Sequence, residues 1–337
     1  MSYKVAVLMG GSSFERDFSL ASGRHVLRTL EAAGHTVLPL DTGATLVETL
    51  RHEQPDVAFI ALHGKHGEDG TVQSLLEFLS IPFVGSTSSV CRLTWDKSML
   101  PTVVMTYRRT GGTAKAARWP RGICLSATAL KDLGAAGALD LVSQRLPSDY
   151  PYAVLPSSGG SAMGISKVES ADQLASALLE ALSFNDEVII EEWVDGVELA
   201  ICILGEGENA EALPPIEISS QTGFFNTEAR IDPEFVEYYI PVRNESLAAD
   251  ADPAVVNQAR VQIAAAALEV HKAFGCRDLS RVDMIWDVAQ QAPKVLEINV
   301  VPGMSEFSLL PAALEASGIG FGTILNQLLD KAVARGK

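Results

Sequence analysis

Cysteine is scarce in this 337-residue chain: the four, Cys91, Cys124, Cys202 and Cys276, show no Cys-x-x-Cys spacing. Neither a zinc site nor a disulfide framework is indicated, and a reducing cytoplasm is the expected setting. Basic residues are also few, 26 Lys and Arg against 42 Asp and Glu, for a net charge of -16 and a pI near 4.8. With no basic stripe to neutralise phosphates, nucleic acid and anionic membranes are excluded as partners, and an anionic small ligand would need local positive charge. No segment approaches transmembrane length. Val5–Met9 is too short an apolar run for a signal peptide and leads straight into a strand. Repeats and low-complexity tracts are missing too.

What is present is 47% hydrophobic residues, enough to bury large cores in two or three domains. The first stretch alternates strand and helix. A strand over Lys4–Met9 meets the loop Gly10-Gly-Ser-Ser-Phe-Glu-Arg-Asp-Phe-Ser19, and a helix opening near Ser19 carries Val26, Leu27, Leu30 and Ala33 on one face. Strands follow at His35–Leu40, Asp56–Leu62 and Ile81–Val84, with a helix through Leu75 and Leu76. This order implies an α/β class with a parallel sheet whose ligands bind at the strand ends. Glu15 would sit there beside His63, where a substrate ammonium could bind; for His63 and His66 a plain hydrogen-bonding role in the loop stays open.

The middle of the chain is less regular. Asp96-Lys97 opens a helix, Tyr107–Gly122 reads as a loop, and Thr128–Leu141 is helical despite Gly134 and Gly137. Between strands at Tyr152–Pro156 and Ile165–Val168 lies Ser157-Ser-Gly-Gly-Ser-Ala-Met-Gly164. Such a loop can fold over a triphosphate because its amides approach without a Cβ in the way, or it can be a mobile hairpin tip. A helix over Ala171–Ser183 leads to strands at Val188–Trp193 and Leu199–Gly205. Their junction could face an adenine, with Trp193 or Val194 over the ring and Glu198 on the ribose, or be an ordinary strand end. Asp252-Pro253 is an N-cap and N1 pair for a helix ending at Gly275, with His271 solvated in its last turn.

Two β-rich runs close the pattern, Arg281–Trp286 and Lys294–Asn299, joined as a hairpin. Alternation puts Arg281 and Asp283 on one face, and Glu297 and Asn299 on one face of the partner. Three oxygen donors and a guanidinium then converge, which suits hard Mg²⁺ ions holding substrate phosphates. A surface hairpin with ordinary charges is the alternative, but Val295, Leu296, Ile298, Val300 and Val301 make burial the expectation, and a buried carboxylate needs a partner.

Taken in order, Gly10-Gly-Ser-Ser-x-Glu-Arg, His63-Gly-x-x-Gly-Glu-Asp-Gly70, Asp96-Lys97, Gly160-Ser-Ala-x-Gly164, Glu191-x-Trp193, Arg281-x-Asp283 and Glu297-x-Asn299 before Pro302-Gly303-Met304 resemble the D-alanine--D-alanine ligases of the ATP-grasp superfamily. The resemblance covers nearly the whole chain. It implies an α/β ATP-grasp fold with an N-terminal parallel α/β domain over 1–95, a small central domain over 96–190 and a C-terminal domain over 191–337, the nucleotide lying between the last two. It further implies that Glu15, supported by Ser161, holds the first substrate near His63, while Lys97, Gly160, Ala162 and Arg230 meet the phosphates. Glu191, Trp193, Val194 and Glu198 would hold adenosine, and Asp283, Glu297 and Asn299 two Mg²⁺, or Mn²⁺. Arg281 and the Gly303 amide would stabilise an oxyanion, and Ser308-Leu309 would receive the second substrate's carboxylate. The implied protein is a cytoplasmic homodimer in peptidoglycan synthesis.

The chain also departs from the family. Leu155 stands where the family usually has a phosphate-binding lysine; a charged contact contributes roughly 1.5–3 kcal/mol, so its loss weakens ATP binding by about one to two orders of magnitude. Arg230 and Ile231 replace a usual lysine and tyrosine, and 101–122 matches poorly. A ligase for another amino or hydroxy acid pair, and a degenerate nucleotide-binding homologue, therefore stay open as alternatives.

Overall fold

In the computed structural model of the chain, residues 2–112, 115–146, 151–221, 233–248 and 250–336 are described. They build three sheets. The first is parallel, in the order β2 (Thr36–Asp41), β1 (Lys4–Met9), β3 (Val57–Ile60), β4 (Phe83–Val84). Its central strands are apolar without a break because both faces are covered. Val5, Val7, Val57 and Phe59 pack with Val26 and Leu30 of α1 (Arg16–Ala32), and Ala6, Leu8, Ala58 and Ile60 with Leu46 and Leu50 of α2 (Leu46–Glu53) and Leu76 of α3 (Thr71–Phe78). Because the chain leaves β1 toward β2 on one side and β3 lies on the other, a crevice opens at the carboxyl ends of β1 and β3. Into it run the loops carrying Glu15 and His63. The first helix begins at Arg16, earlier than the sequence suggested, since Ser19 N–H already reaches Glu15 O at 2.9 Å.

An extra helix, α4 (Ser88–Trp95), precedes Asp96, its first turn capped by the Thr87 hydroxyl on Val90 N–H. The helix expected to open at Asp96-Lys97 starts at Met99 as α5 (Met99–Arg109). The stretch after it is less loose than its composition suggested: Ala116 and Ala117 N–H donate to the Glu269 carboxylate at 2.9 and 2.8 Å, and Arg108 joins them.

The second sheet is antiparallel: β5 (Gly122–Ser126), β8 (Glu187–Glu192), β6 (Tyr152–Pro156), β7 (Ser166–Val168). Tyr152, Val154, Val188 and Ile190 turn into a core formed with α6 (Ala127–Arg145) and α7 (Ala171–Leu182). Alternation then sends Ala153, Leu155 and Ile189 to the opposite face. Gly134 interrupts α6, with φ 65° and ψ 174°.

The third sheet runs β12 (Val236–Tyr239), β11 (Ile216–Ser220), β9 (Val197–Leu204), β13 (Leu279–Asp287), β14 (Ala292–Asn299), with the short β10 (Glu211–Ala212) also on β9. After the one-turn α8 (Asn244–Leu247), α9 (Pro253–Phe274) covers one face of this sheet. Its N-cap is as expected, Asp252 accepting from Ala254 and Val255 N–H, and Gly275 ends it at φ 70°. His271, by contrast, is fully buried rather than solvated, bonding Ser280 Oγ at 2.8 Å, and burial pushes its pKa down to about 4. The chain ends in α10 (Leu309–Ala316) and α11 (Phe321–Arg335), and Ile324, Leu325 and Leu328 of the latter share the core of the first sheet. This tie brings the first and third sheets together.

Candidate active site

The expected hairpin forms, and its register sets Arg281 opposite Asn299 and Asp283 opposite Glu297. Just beyond Asp283 the register shifts at a bulge. The shift lets Val295 and Ile298 both reach the core while Glu297 and Asn299 stay on the face of Asp283 and Arg281. On β13 the even-numbered Val282, Met284 and Trp286 are buried.

Between this face and the Leu155 face of the second sheet lies a cleft of about 180 Å³. Lys97, Gly160, Ala162, Glu191, Trp193, Val194, Glu198, Asp283 and Glu297, all named from the sequence as candidate nucleotide or metal residues, line it. Of its apolar walls, Leu155 stood out in the sequence as a departure from the family, whereas Ile165, Ile218, Met284, Ile285 and Leu296 carried no sequence signal, since any core strand supplies such residues. Glu191 is the titratable oddity. Burial and then the neighbouring Glu192 push its pKa up to about 8, against the pull of Lys97.

A second cavity, of about 320 Å³, opens between the first and third sheets and is lined by Glu15, His63, Ser161, Arg281, Asn299, Gly303, Ser308 and Leu309. Ser161 Oγ donates to Glu15 Oε1 across 146 residues of sequence. The approach is tight: a Cβ on Gly64 would fall 2.2 Å from Glu15 Oε2, and one on Gly160 2.9 Å from Oε1, so a side chain at either position would displace the Glu15 carboxylate. Ser161 and Ala162 both adopt positive φ, 54° and 56°, a strained backbone of the kind that clusters at functional loops. Ser308 caps α10 in extended conformation, with its Oγ accepting from Ser305 N–H at 3.0 Å. The first-turn amides of α10 suit a carboxylate.

The two cavities share Lys97, Gly159, Gly160 and Glu297. Lys97 is held from the backbone, its N–H on Ser157 O at 2.8 Å and its Nζ on Gly159 O at 2.6 Å, and Nζ lies 3.1 Å from Glu297 Oε2. Beside them Arg281 grips Asp283 through both carboxylate oxygens. Burial disfavours the guanidinium charge, but the Asp283 carboxylate outweighs it and raises the Arg281 pKa above its ordinary value. Arg230 lies outside the described residues, as does Ile231.

Glu68, Ser22, Phe18, Tyr238 and Phe307 also line the second cavity and were not singled out as site residues. Glu68 stood inside a quoted motif, whereas Ser22 looks in sequence like any small residue of a helix.

The family described as "D-ala D-ala ligase C-terminus" matches residues 139–330, and "D-ala D-ala ligase N-terminus" matches 43–86. A D-alanine--D-alanine ligase from Carboxydothermus hydrogenoformans is 35% identical over 326 residues, covering 97% of each chain. One from Pelotomaculum thermopropionicum is 34% identical over 335 residues, covering 99% of this chain and 98% of its own. The crystal structure of the Bacillus anthracis D-alanine--D-alanine ligase complexed with ATP superposes with a TM-score of 0.74 at 27% identity, covering 99% of both chains.

Proposed function

Because the chain belongs to the D-alanine--D-alanine ligase family, we propose that its joined cavities carry out one ATP-dependent reaction, the ligation of two D-alanines into D-alanyl-D-alanine for peptidoglycan and the cell wall. The fold is ATP-grasp, of α/β class. ATP takes the cleft between the second and third sheets, adenine against Glu191, Trp193 and Val194, ribose at Glu198, and the triphosphate toward Lys97 and the 160–162 loop.

The observation that carries this reading is the junction: Lys97 and Glu297 stand where the two cavities meet, so a γ-phosphoryl group there faces both nucleotide and amino acid. Glu15 holds the ammonium of the first D-alanine with His63 nearby, and the substrate carboxylate takes the γ-phosphoryl while ADP leaves. Lys97 offsets the negative charge during transfer. The amine of the second D-alanine, its carboxylate on the first turn of α10 at Ser308 and Leu309, then attacks the acyl phosphate. A tetrahedral oxyanion forms, met by Arg281 and the Gly303 N–H; the attacking nitrogen gives up a proton, which the departing phosphate can carry away, and the bond from carbon to the phosphate oxygen breaks to leave the amide.

The residues at the junction fit a hard divalent cation, since Asp283 and Glu297 face each other in register, Asn299 is on the same face, and both carboxylates are presently charge-matched by Arg281 and Lys97. Asp283, Glu297 and Asn299 would hold two Mg²⁺, for which Mn²⁺ can substitute, and the ions would neutralise the phosphates. A cytoplasmic homodimer completes the proposal; it rests on family membership, and among the described residues no helix is long and apolar enough to cross a membrane.

The test is steady-state phosphate release with ATP, Mg²⁺ and D-alanine, set against L-alanine and D-lactate, with the dipeptide identified by mass. Turnover with D-alanine and formation of D-alanyl-D-alanine is the expected result. No phosphate release at millimolar D-alanine and ATP would overturn the reading.

A further inference from the structure

The turn that carries Gly303 is not held by its own domain alone. Met304 N–H donates to Ser22 Oγ at 3.1 Å, and Met304 O lies 2.7 Å from His25 Nδ1. One helix, α1, thus takes both polar groups of one residue from positions spaced i and i+3, which share a helix face. On the near side of the turn Val301 O lies 3.0 Å from His63 Nδ1, and His63 Nε2 lies 2.8 Å from the same Ser22 Oγ.

The proton directions follow from the chemistry of the groups. A carbonyl oxygen only accepts, so His25 and His63 each carry a proton on Nδ1. With the Nδ1 proton facing Val301 O, and Glu68 Oε1 3.5 Å away, the tautomer that matches the remaining partners leaves Nε2 bare, and the single Ser22 hydroxyl proton goes to it. That leaves the Ser22 oxygen to accept from Met304 N–H. Every donor meets an acceptor, in a place where Ser22, His63 and Met304 are almost wholly buried and an unmet bond is costly. His63 is itself fixed, its N–H on Ser19 Oγ at 2.8 Å and its carbonyl accepting from Ser13 Oγ at 2.9 Å. His25 is fixed by stacking on Phe321 at 4.6 Å between centroids.

We propose that Ser22 and His25 are positioning residues for acyl transfer: they clamp the Met304 backbone from α1 and thereby aim the neighbouring Gly303 N–H at the oxyanion. The inference rests on the reading of Gly303 and Arg281 as the oxyanion's donors. Its physical content is that an amide at a glycine turn has little stiffness of its own, so preorganisation comes from the groups bonded to the next residue. The clamp forms only when the first and third sheets are together. Assembly of the oxyanion site is thus tied to enclosure of the substrate cavity.

The experiment compares Ser22→Ala, Ser22→Thr, His25→Phe and Arg281→Lys in the full-length enzyme. The readouts are kcat, KM for ATP and D-alanine, ADP affinity, melting temperature, and affinity for a tetrahedral phosphinate isostere of D-alanyl-D-alanine. Loss of a whole oxyanion donor costs on the order of 100- to 1000-fold in rate, so a misaimed one is expected to cost roughly 10- to 100-fold. Ser22→Ala should therefore lower kcat and phosphinate affinity together by that factor, with KM for ATP and ADP affinity within about twofold. The hydroxyl of Ser22→Thr should restore both. His25→Phe keeps the stacking and loses the bond to Met304 O, so it should show the same pattern and decides the matter if Ser22→Ala does not fold. Folded Ser22→Ala and His25→Phe enzymes with wild-type kcat and phosphinate affinity would overturn the inference. If Arg281→Lys weakens phosphinate binding in that same experiment, the oxyanion reading stands and the clamp alone fails. If Arg281→Lys leaves it unchanged, the oxyanion reading falls and takes the inference with it.

Discussion

Arg281 and Asp283, two residues apart on one face of β13, form a closed bidentate pair, Nε to Oδ1 at 2.6 Å and Nη2 to Oδ2 at 2.7 Å. A residue read as an oxyanion donor and one read as a metal ligand thus hold each other. Such a fork has the planar geometry only arginine offers.

Arg281→Lys removes the fork and keeps the charge. Its kcat is expected to fall by about 100-fold or more while KM for both substrates changes severalfold at most, as for a group acting mainly on the transition state. Initial-rate kinetics check this, and a change confined to KM would make Arg281 a ground-state anchor instead.

Glu297 sits 3.1 Å from Lys97 at the junction of the cavities. Glu297→Gln is nearly isosteric and removes one negative charge. Turnover should vanish while far-ultraviolet circular dichroism stays as in the parent. Wild-type rates across a Mg²⁺ titration would remove Glu297 from the proposed metal site.

Leu155 is buried against Ala153, Ile189, Ile165 and Trp193 and lines the nucleotide cleft. Its strand face also carries Ala153, whose cross-strand partner is Glu191, so a lysine at 155 stands one diagonal step from that carboxylate. Leu155→Lys should tighten ATP by about one to two orders of magnitude, less at high salt. Calorimetric titration at two ionic strengths, with a melting curve for each protein, is the measurement. Unchanged affinity with a lowered melting temperature would mean the ammonium is buried away from the phosphates.

The carboxyl of Glu191 has a folded-state pKa of about 8, above its ordinary 4.5. Its folded form holds the proton more tightly, so its contribution to stability is complete below pH 4.5 and is lost as the pH rises through about 8. Glu191→Gln cannot titrate. Its melting temperature should fall less than the wild type's between pH 5 and pH 9, and parallel curves would refute the assignment.

Glu269 is 1% exposed and accepts from Arg108 and from the amides of Ala116 and Ala117. Glu269→Ala leaves the guanidinium and both amides without that partner, at a cost of about 3–5 kcal/mol. Urea unfolding should show a lower midpoint at unchanged slope, and a loss under about 1 kcal/mol would mean the 110–121 segment contributes little.

Legibility of the sequence followed the range of the interactions. β6 was readable because Tyr152–Pro156 is a bare apolar run, and α9 because Asp252, Pro253 and Gly275 mark its ends by local chemistry. The strand β5 was missed, its Gly122–Ser126 having partly exposed side chains and gaining its place only by pairing with β8. His271 was misplaced outright: the last turn of a helix suggested solvent, but β13 lies over it.

By itself the sequence determined which residues could form each half of the site. Strand alternation fixes that Arg281 and Asp283 share a face, and glycine at 64 and at 160 leaves room for a close neighbour at each position. Only the tertiary structure decided what those residues meet: Glu15 with Ser161, Lys97 with Glu297, Ser22 and His25 with Met304. Each of these contacts joins segments far apart in the chain that the packing of the three sheets brings together. Their distances depend on how the packed cores orient those sheets, a property of burial summed over many side chains that no local spacing encodes.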